Sequence, residues 1–281
     1  MMKTPKKETK PNLIDLVEIG SDGTAIGKST LANRTSHLYR EAGRPVTRVR
    51  IESARRRGHD SGCADTEIFI PLEEFTSAAT RTGGLVGVLS PFYEAIMRIP
   101  RSGGAVIVDW PGGTAAHRLE VLAATNFDAT LAAMGIRGMS IVMTSCSAEH
   151  MGQAERYLKG LEKVAPNLPR ALGLSGRNGP FHWPEQSEQA EAFARLKIAA
   201  GAIPQLSIPL VAGRALQLCS DAGLDIASAL MLPFDKLASR LGVHVFAATA
   251  CASELAVWWN ATGAELQKML EVKHAPAGFT A

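Results

Sequence analysis

The stretch that most constrains this chain is Gly20-Ser21-Asp22-Gly23-Thr24-Ala25-Ile26-Gly27-Lys28-Ser29-Thr30. A short apolar run, Leu13 to Ile19, precedes it, and Leu31 to Arg40 follows with a helical pattern that stops at Gly43. Strand, small-residue turn, Gly-Lys-Ser-Thr and helix is the order of a phosphate-binding loop. A turn with few bulky Cβ atoms lets successive backbone N–H groups face an anion, and the next helix adds its partial positive charge. In that arrangement the backbone of Gly23, Thr24, Ala25, Ile26 and Gly27 cradles phosphates. Lys28 reaches the β- and γ-phosphates, and the Ser29 hydroxyl ligates Mg2+. The strict motif asks for glycine where Asp22 stands, so Asp22 is expected to turn away or to act as a turn or capping residue. The competing reading is a helix that merely opens after a turn.

A second stretch supports the first. In Gly103-Gly104-Ala105-Val106-Ile107-Val108-Asp109-Trp110-Pro111-Gly112-Gly113, four apolar residues predict a buried strand ending on an acid. In folds built on a phosphate loop, the strand beside the loop strand delivers an aspartate to the water shell of Mg2+. Asp109 is placed for that role, and the following glycines allow approach to a γ-phosphate. Otherwise the segment is an ordinary strand-end turn.

The rest of the pattern alternates. Pro45–Ser53 predicts a second strand and leads into Arg55-Arg56-Arg57, either a solvated loop or a contact for nucleotide, phosphate or nucleic acid. Asp65–Pro71 predicts a short edge strand, and Leu72–Arg81 and Ser90–Ile99 predict helices, with Ser90 as N-cap and Pro91 opening the second. Leu119–Leu131 predicts a helix, Gly138–Ser145 a buried strand, Ala148–Ala165 a helix, and Pro169–Ser175 a strand running into Gly176-Arg177-Asn178. A helix over 185–200 and a last short strand or extended segment over 203–210 complete an α/β, doubly wound, mostly parallel sheet flanked by helices. Ligands of such sheets sit at the C-terminal strand ends, where Lys28, Glu52, Asp109 and Asn178 would converge. Asp15 and Glu18 interrupt the first strand, so it starts at Leu16 or carries one acid at its solvent end.

Length and charge set the frame. The 281 residues suit a mobile basic tail over 1–11, a nucleotide-binding domain over 12–210, and a helical extension over 211–281 on the same domain. Trp258 and Trp259 are expected in a helix core of that extension. A net charge of +3 is too mild to announce nucleic-acid binding. The four cysteines form no C-x-x-C pair and the seven histidines are scattered, which disfavours zinc. No secretory leader and no apolar run of membrane-spanning length is visible, so a cytoplasmic protein with reduced thiols is expected.

Gly23–Thr30 (GTAIGKST) and Val106–Gly113 (VIVDWPGG) resemble the deviant-Walker ATPases of the plasmid-partition and septum-site (ParA/MinD) type. The order of elements is similar over roughly residues 12–210. Asn178-Gly179-Pro180 looks like the end of a late strand in conjugation and mobilisation members, where an asparagine meets the base. The resemblance implies an ATP-dependent homodimer with Mg2+, acting in DNA partition, transfer or positioning, with DNA or a DNA-bound protein as partner. By position, Lys28 would contact phosphates, Ser29 and Thr30 would bind Mg2+ and phosphate, and Asp109 would act from the switch strand. Two departures stand out. The family's signature lysine falls at Gly23, and the acid after the second strand is present only as Glu52. Slow hydrolysis is therefore expected. A small-molecule kinase, or a nucleotide-binding protein that has lost hydrolysis, remains open. So does ATP against GTP, because no N-K-x-D motif stands out.

Overall fold

A computed structural model describes residues 13–53, 64–78, 83–211 and 213–272. The chain opens with β1 (Leu16–Gly20), α1 (Lys28–Glu41), β2 (Val46–Glu52) and β3 (Thr66–Pro71). Helices α2 (Leu72–Thr76), α3 (Gly84–Val88) and α4 (Ser90–Ser102) lead to β4 (Ala105–Asp109), then α5 (Ala115–Ala124) and α6 (Phe127–Ala133) to β5 (Gly138–Ser145). The second half runs α7 (Ala148–Val164), β6 (Arg170–Ser175), α8 (Glu188–Ala200) and β7 (Gln205–Ile208). It ends in α9 (Ala215–Asp221), α10 (Ile226–Met231), α11 (Phe234–Leu241) and the long α12 (Val245–Met269).

All seven strands pair in parallel, in the order β3-β2-β4-β1-β5-β6-β7. This is a doubly wound α/β sheet flanked by helices, with β4 beside β1. The central strands are apolar on both faces because helices cover both. One face of the sheet, through Ile19, Ile107 and Ile141, packs on α1 and the helices after β7. The other, through Leu16, Val106, Val108 and Val142, packs on residues of α4–α8. The chain runs from β1 to β2 and β3 on one side of the sheet and from β5 to β6 and β7 on the other, and at that change of direction a crevice opens at the C-terminal strand ends.

Several local expectations are corrected. β1 does start at Leu16, and Asp15 outside it accepts from Arg44 Nη2 at 2.7 Å. Glu18 is not at a solvent end: it lies inside the strand, 1% exposed, paired with Arg118 of α5. The expected helix over 119–131 is two helices, because Asn126 adopts a left-handed conformation with φ 43°. Ser90 is not an N-cap. Leu89 alone separates α3 from α4 and takes the cap position, leaving Ser90 already helical. The helix from 72 stops at Thr76, where Ser77 Oγ donates back to the Glu73 carbonyl at 2.5 Å. That from 185 starts only at Glu188, where the Ser187 hydroxyl accepts from Ala190 N–H at 3.2 Å. Arg55, Arg56 and Arg57, and the tail over 1–11, lie outside the described residues.

The helices after β7 close over α1. Trp258 and Trp259 are buried, as expected. Arg34 of α1 donates through Nε to the Trp259 carbonyl at 3.1 Å, with its guanidinium 4.4 Å from the Trp259 ring centroid. Among the described residues no single helix is long and apolar enough to cross a membrane.

Candidate functional site

A cavity of about 780 Å3 lies at the C-terminal ends of β1, β2 and β4. Its floor is the segment from Thr24 to Thr30. β1 is buried throughout and stops at Gly20, so the chain emerges from the sheet there and turns over 21–27 before α1 begins at Lys28. Gly27 holds the cap position at φ 90°, and Ala25 is also left-handed at φ 55°. A left-handed alanine costs roughly 1 kcal/mol, and strain of that kind gathers at ligand loops. α1 carries no acidic residue in its first turn and no side-chain cap at Gly27, so its positive end faces the cavity.

Lys28 is 8% exposed, and its ammonium donates to the Gly23 carbonyl. Burial pulls its pKa down, while Asp109 and Asp22 push it back up. Gly23 itself has little room for a side chain. A Cβ there would meet His150 Cδ2 at 3.0 Å and Ile26 Cδ1 at 3.1 Å.

The oddity at Asp22 has a structural answer. Its Oδ1 accepts from Ala115 N–H at 2.9 Å, capping the first turn of α5, and its carbonyl accepts from Gly113 N–H at 3.2 Å. Asp22 is the capping residue that one of the alternatives required. It also fastens the turn over 21–27 to the Pro111–Thr114 turn. Gly112 completes the fit: a Cβ there would lie 2.7 Å from Thr24 Cγ2 and 3.0 Å from the Asp22 carbonyl oxygen. Loop and turn are therefore held directly against each other.

Asp109 ends β4, 6% exposed, and lines the cavity. Its Oδ2 lies 3.5 Å from Nη2 of Arg48, and the same nitrogen is 3.4 Å from the Ser29 carbonyl. Glu52 also lines the cavity, but Arg50 holds it through Nε and Nη2 at 2.9–3.1 Å. Arg48, Arg50 and Glu52 alternate along β2 and so share one face. The two arginines escaped the sequence reading. Their signal was charge on a strand of a parallel sheet covered on both sides, where apolar residues belong.

Asn178 is placed differently from the other candidates. It is not among the residues lining the cavity, and its Nδ2 donates to Ser145 Oγ at 3.4 Å. Its neighbour Arg177 lines the cavity instead. The far wall, also missed, is mostly apolar: Leu216 and Cys219 of α9, Leu224, Ile226 and Ala227 around the start of α10, and Trp259, with Ser220 and Asp225 set among them. Burial pushes the Cys219 thiol up to about 11, so it stays protonated and is no nucleophile at neutral pH. Four cations (Lys28, Arg48, Arg50, Arg177) face three carboxylates (Glu52, Asp109, Asp225) around the cavity, a balance that favours an anion.

For a metal, no group of three or more His, Cys, Asp or Glu comes together among the described residues. Nearest the start of α1, the oxygen donors lining the cavity include the Ser29 and Thr30 hydroxyls and the Asp109 carboxylate. They suit Mg2+ in type, given phosphate oxygens and water to complete the shell. They suit it less in charge, because Arg48 already stands against Asp109.

No protein-family model matches the sequence. No curated protein matches it significantly. Among solved structures the chain is similar to the cell division protein MinD of Aquifex aeolicus, at 14% identity over 93% of this chain and 98% of that chain, with a TM-score of 0.46. A McdA–ATP complex from Cyanothece is 14% identical over 94% of this chain and 99% of that one, with a TM-score of 0.43. The Aquifex aeolicus MinC:MinD complex gives 12% identity over 94% and 99%, with a TM-score of 0.45.

Proposed function

We propose that this chain is an ATP-binding switch protein with slow hydrolysis, working as a nucleotide-controlled homodimer in the positioning of a cargo such as DNA or a DNA-bound protein. The observation that carries the reading is Lys28, an ammonium 8% exposed beneath a strained turn at the uncapped start of α1, with the Asp109 strand end beside it. A buried cation at a helix N-terminus is a site made for phosphate. On binding, the ammonium exchanges the Gly23 carbonyl for phosphate oxygens, and the N–H groups of the loop and of the first turn of α1 take the remaining charge. Mg2+ would be held by the Ser29 hydroxyl, with Thr30 and Asp109 around it, and would supply positive charge to the leaving phosphates. The apolar members of the far wall, Leu216, Leu224, Ile226 and Ala227, offer a surface for the base.

Slow turnover follows from two features. Gly23 contributes no cation where the resembling ATPases carry one, and Glu52 is tied down by Arg50. The same two features favour the second reading, a nucleotide-binding protein without hydrolysis. The switch itself would run through the Pro111–Thr114 turn. A change there reaches α5 directly, because Asp22 caps that helix and Glu18 holds its Arg118.

Sedimentation velocity with and without a non-hydrolysable ATP analogue tests the proposal. A monomer that becomes a dimer with the analogue is expected. A monomer in both conditions, well above the nucleotide dissociation constant, would remove the switch and leave the second reading.

A further inference from the structure

We propose that Arg48 is a resident cation of the nucleotide site: its guanidinium holds the place beside Asp109 that a divalent ion would otherwise neutralise, so nucleotide binds nearly independently of Mg2+. The inference rests on the nucleotide reading and adds to it the group that balances Asp109.

Arg48 is 2% exposed and projects from the middle of β2 toward α1. Its Nη2 bridges the Ser29 carbonyl, at 3.4 Å, and Asp109 Oδ2, at 3.5 Å. Those are the two residues to which the metal role falls. Lys28 also acts on Asp109 electrostatically, so one buried carboxylate faces two buried cations. Buried charge persists where it is paired, and this carboxylate is already paired. A divalent ion drawn toward Asp109 would enter beside a guanidinium and an ammonium, in surroundings where repulsion is poorly screened. The surplus positive charge calls for an anion instead, and the phosphates of the nucleotide bring it.

The test is calorimetric titration of ATP into the full chain, once in EDTA and once in MgCl2. For the wild type the dissociation constant is expected to differ by less than about threefold between the two. Arg48→Met should lose about tenfold or more in EDTA, the usual effect of deleting a charge-assisted contact. In MgCl2 it should regain most of that loss, because Asp109 is released to the metal's water shell. Arg48→Lys, which keeps the charge, should retain the weak dependence of the wild type. A wild type that binds ten times more tightly with Mg2+, with the same ratio in Arg48→Met, would overturn the assignment. The wild-type ratio alone decides should Arg48→Met fail to fold. No ATP binding in either buffer would overturn the nucleotide reading, whereas a tenfold Mg2+ requirement overturns only the role of Arg48.

Discussion

Arg118 is fully buried, and its surroundings show how an acid is tolerated in the middle of β1. Its guanidinium pairs with Glu18 and sits 4.7 Å from the Trp110 ring centroid and 4.5 Å from that of Phe127. Ion pair and aromatic faces replace part of the lost water, while Glu18 Oε2 and Arg118 Nε and Nη1 find no hydrogen-bond partner among the described residues; breaking such a pair from one side typically costs about 3–5 kcal/mol. His37 is a different kind of buried group. It lies edge-on to Trp259 at 5.1 Å, and burial pushes its pKa down to about 4, with Asp225 opposing and Arg34, Arg40 and Arg48 adding to the shift. The unfolded chain takes up a proton near pH 6.5 that the folded chain refuses until about pH 4. Stability from this group is therefore complete above about pH 6.5 and falls as pH drops toward 4. By urea unfolding, the loss between pH 7 and pH 5 should be about 1–2 kcal/mol smaller in His37→Gln than in the wild type. Equal losses in both would mean that His37 titrates normally in the fold.

At the scale of elements, legibility followed burial. β5 was read end to end, Gly138–Ser145, because a strand apolar on both faces between two helices has few other places to go. β4 and the acid at its end were equally plain. The misreadings fall where one residue or one turn overrides periodicity: the left-handed Asn126, the single-residue joint at Leu89, the early stop after Thr76. The contact of α12 with α1 was legible only as buried tryptophans, not as a lock. Gly263 of α12 makes that lock possible, since a Cβ there would lie 2.1 Å from Arg34 Nη2 and 2.8 Å from its Cζ. Arg34 could yield only by loosening its bond to the Trp259 carbonyl. Alanine for glycine in a helix interior ordinarily stabilises by roughly 1 kcal/mol. Here Gly263→Ala should instead cost about 1–3 kcal/mol and lower the Tm, read by thermal unfolding. A raised Tm would show that α12 rides loosely on α1.

At the scale of the molecule, the site is the place where the sheet's C-terminal edge meets the helices that follow the last strand. Lys28, Glu52 and Asp109 were legible because each ends a strand or follows one, and a parallel sheet brings those ends together. Arg48, Arg177 and the wall from Leu216 to Ala227 were not, because their nearness to the loop depends on side-chain direction and on how α9 and α10 dock. The structure thus assembles, from segments as far apart as Thr24 and Trp259, one cavity with a surplus of positive charge and one mostly apolar wall. The claim on which everything else depends is that this cavity takes nucleotide through Lys28. Titration of ATP into the wild type and into Lys28→Ala, with circular dichroism confirming that both are folded, tests it most directly. The account predicts saturable binding to the wild type and a ten- to hundredfold loss in the variant, about 1.5–3 kcal/mol for a lost charge-assisted contact. Indistinguishable titration curves for the two proteins would contradict it.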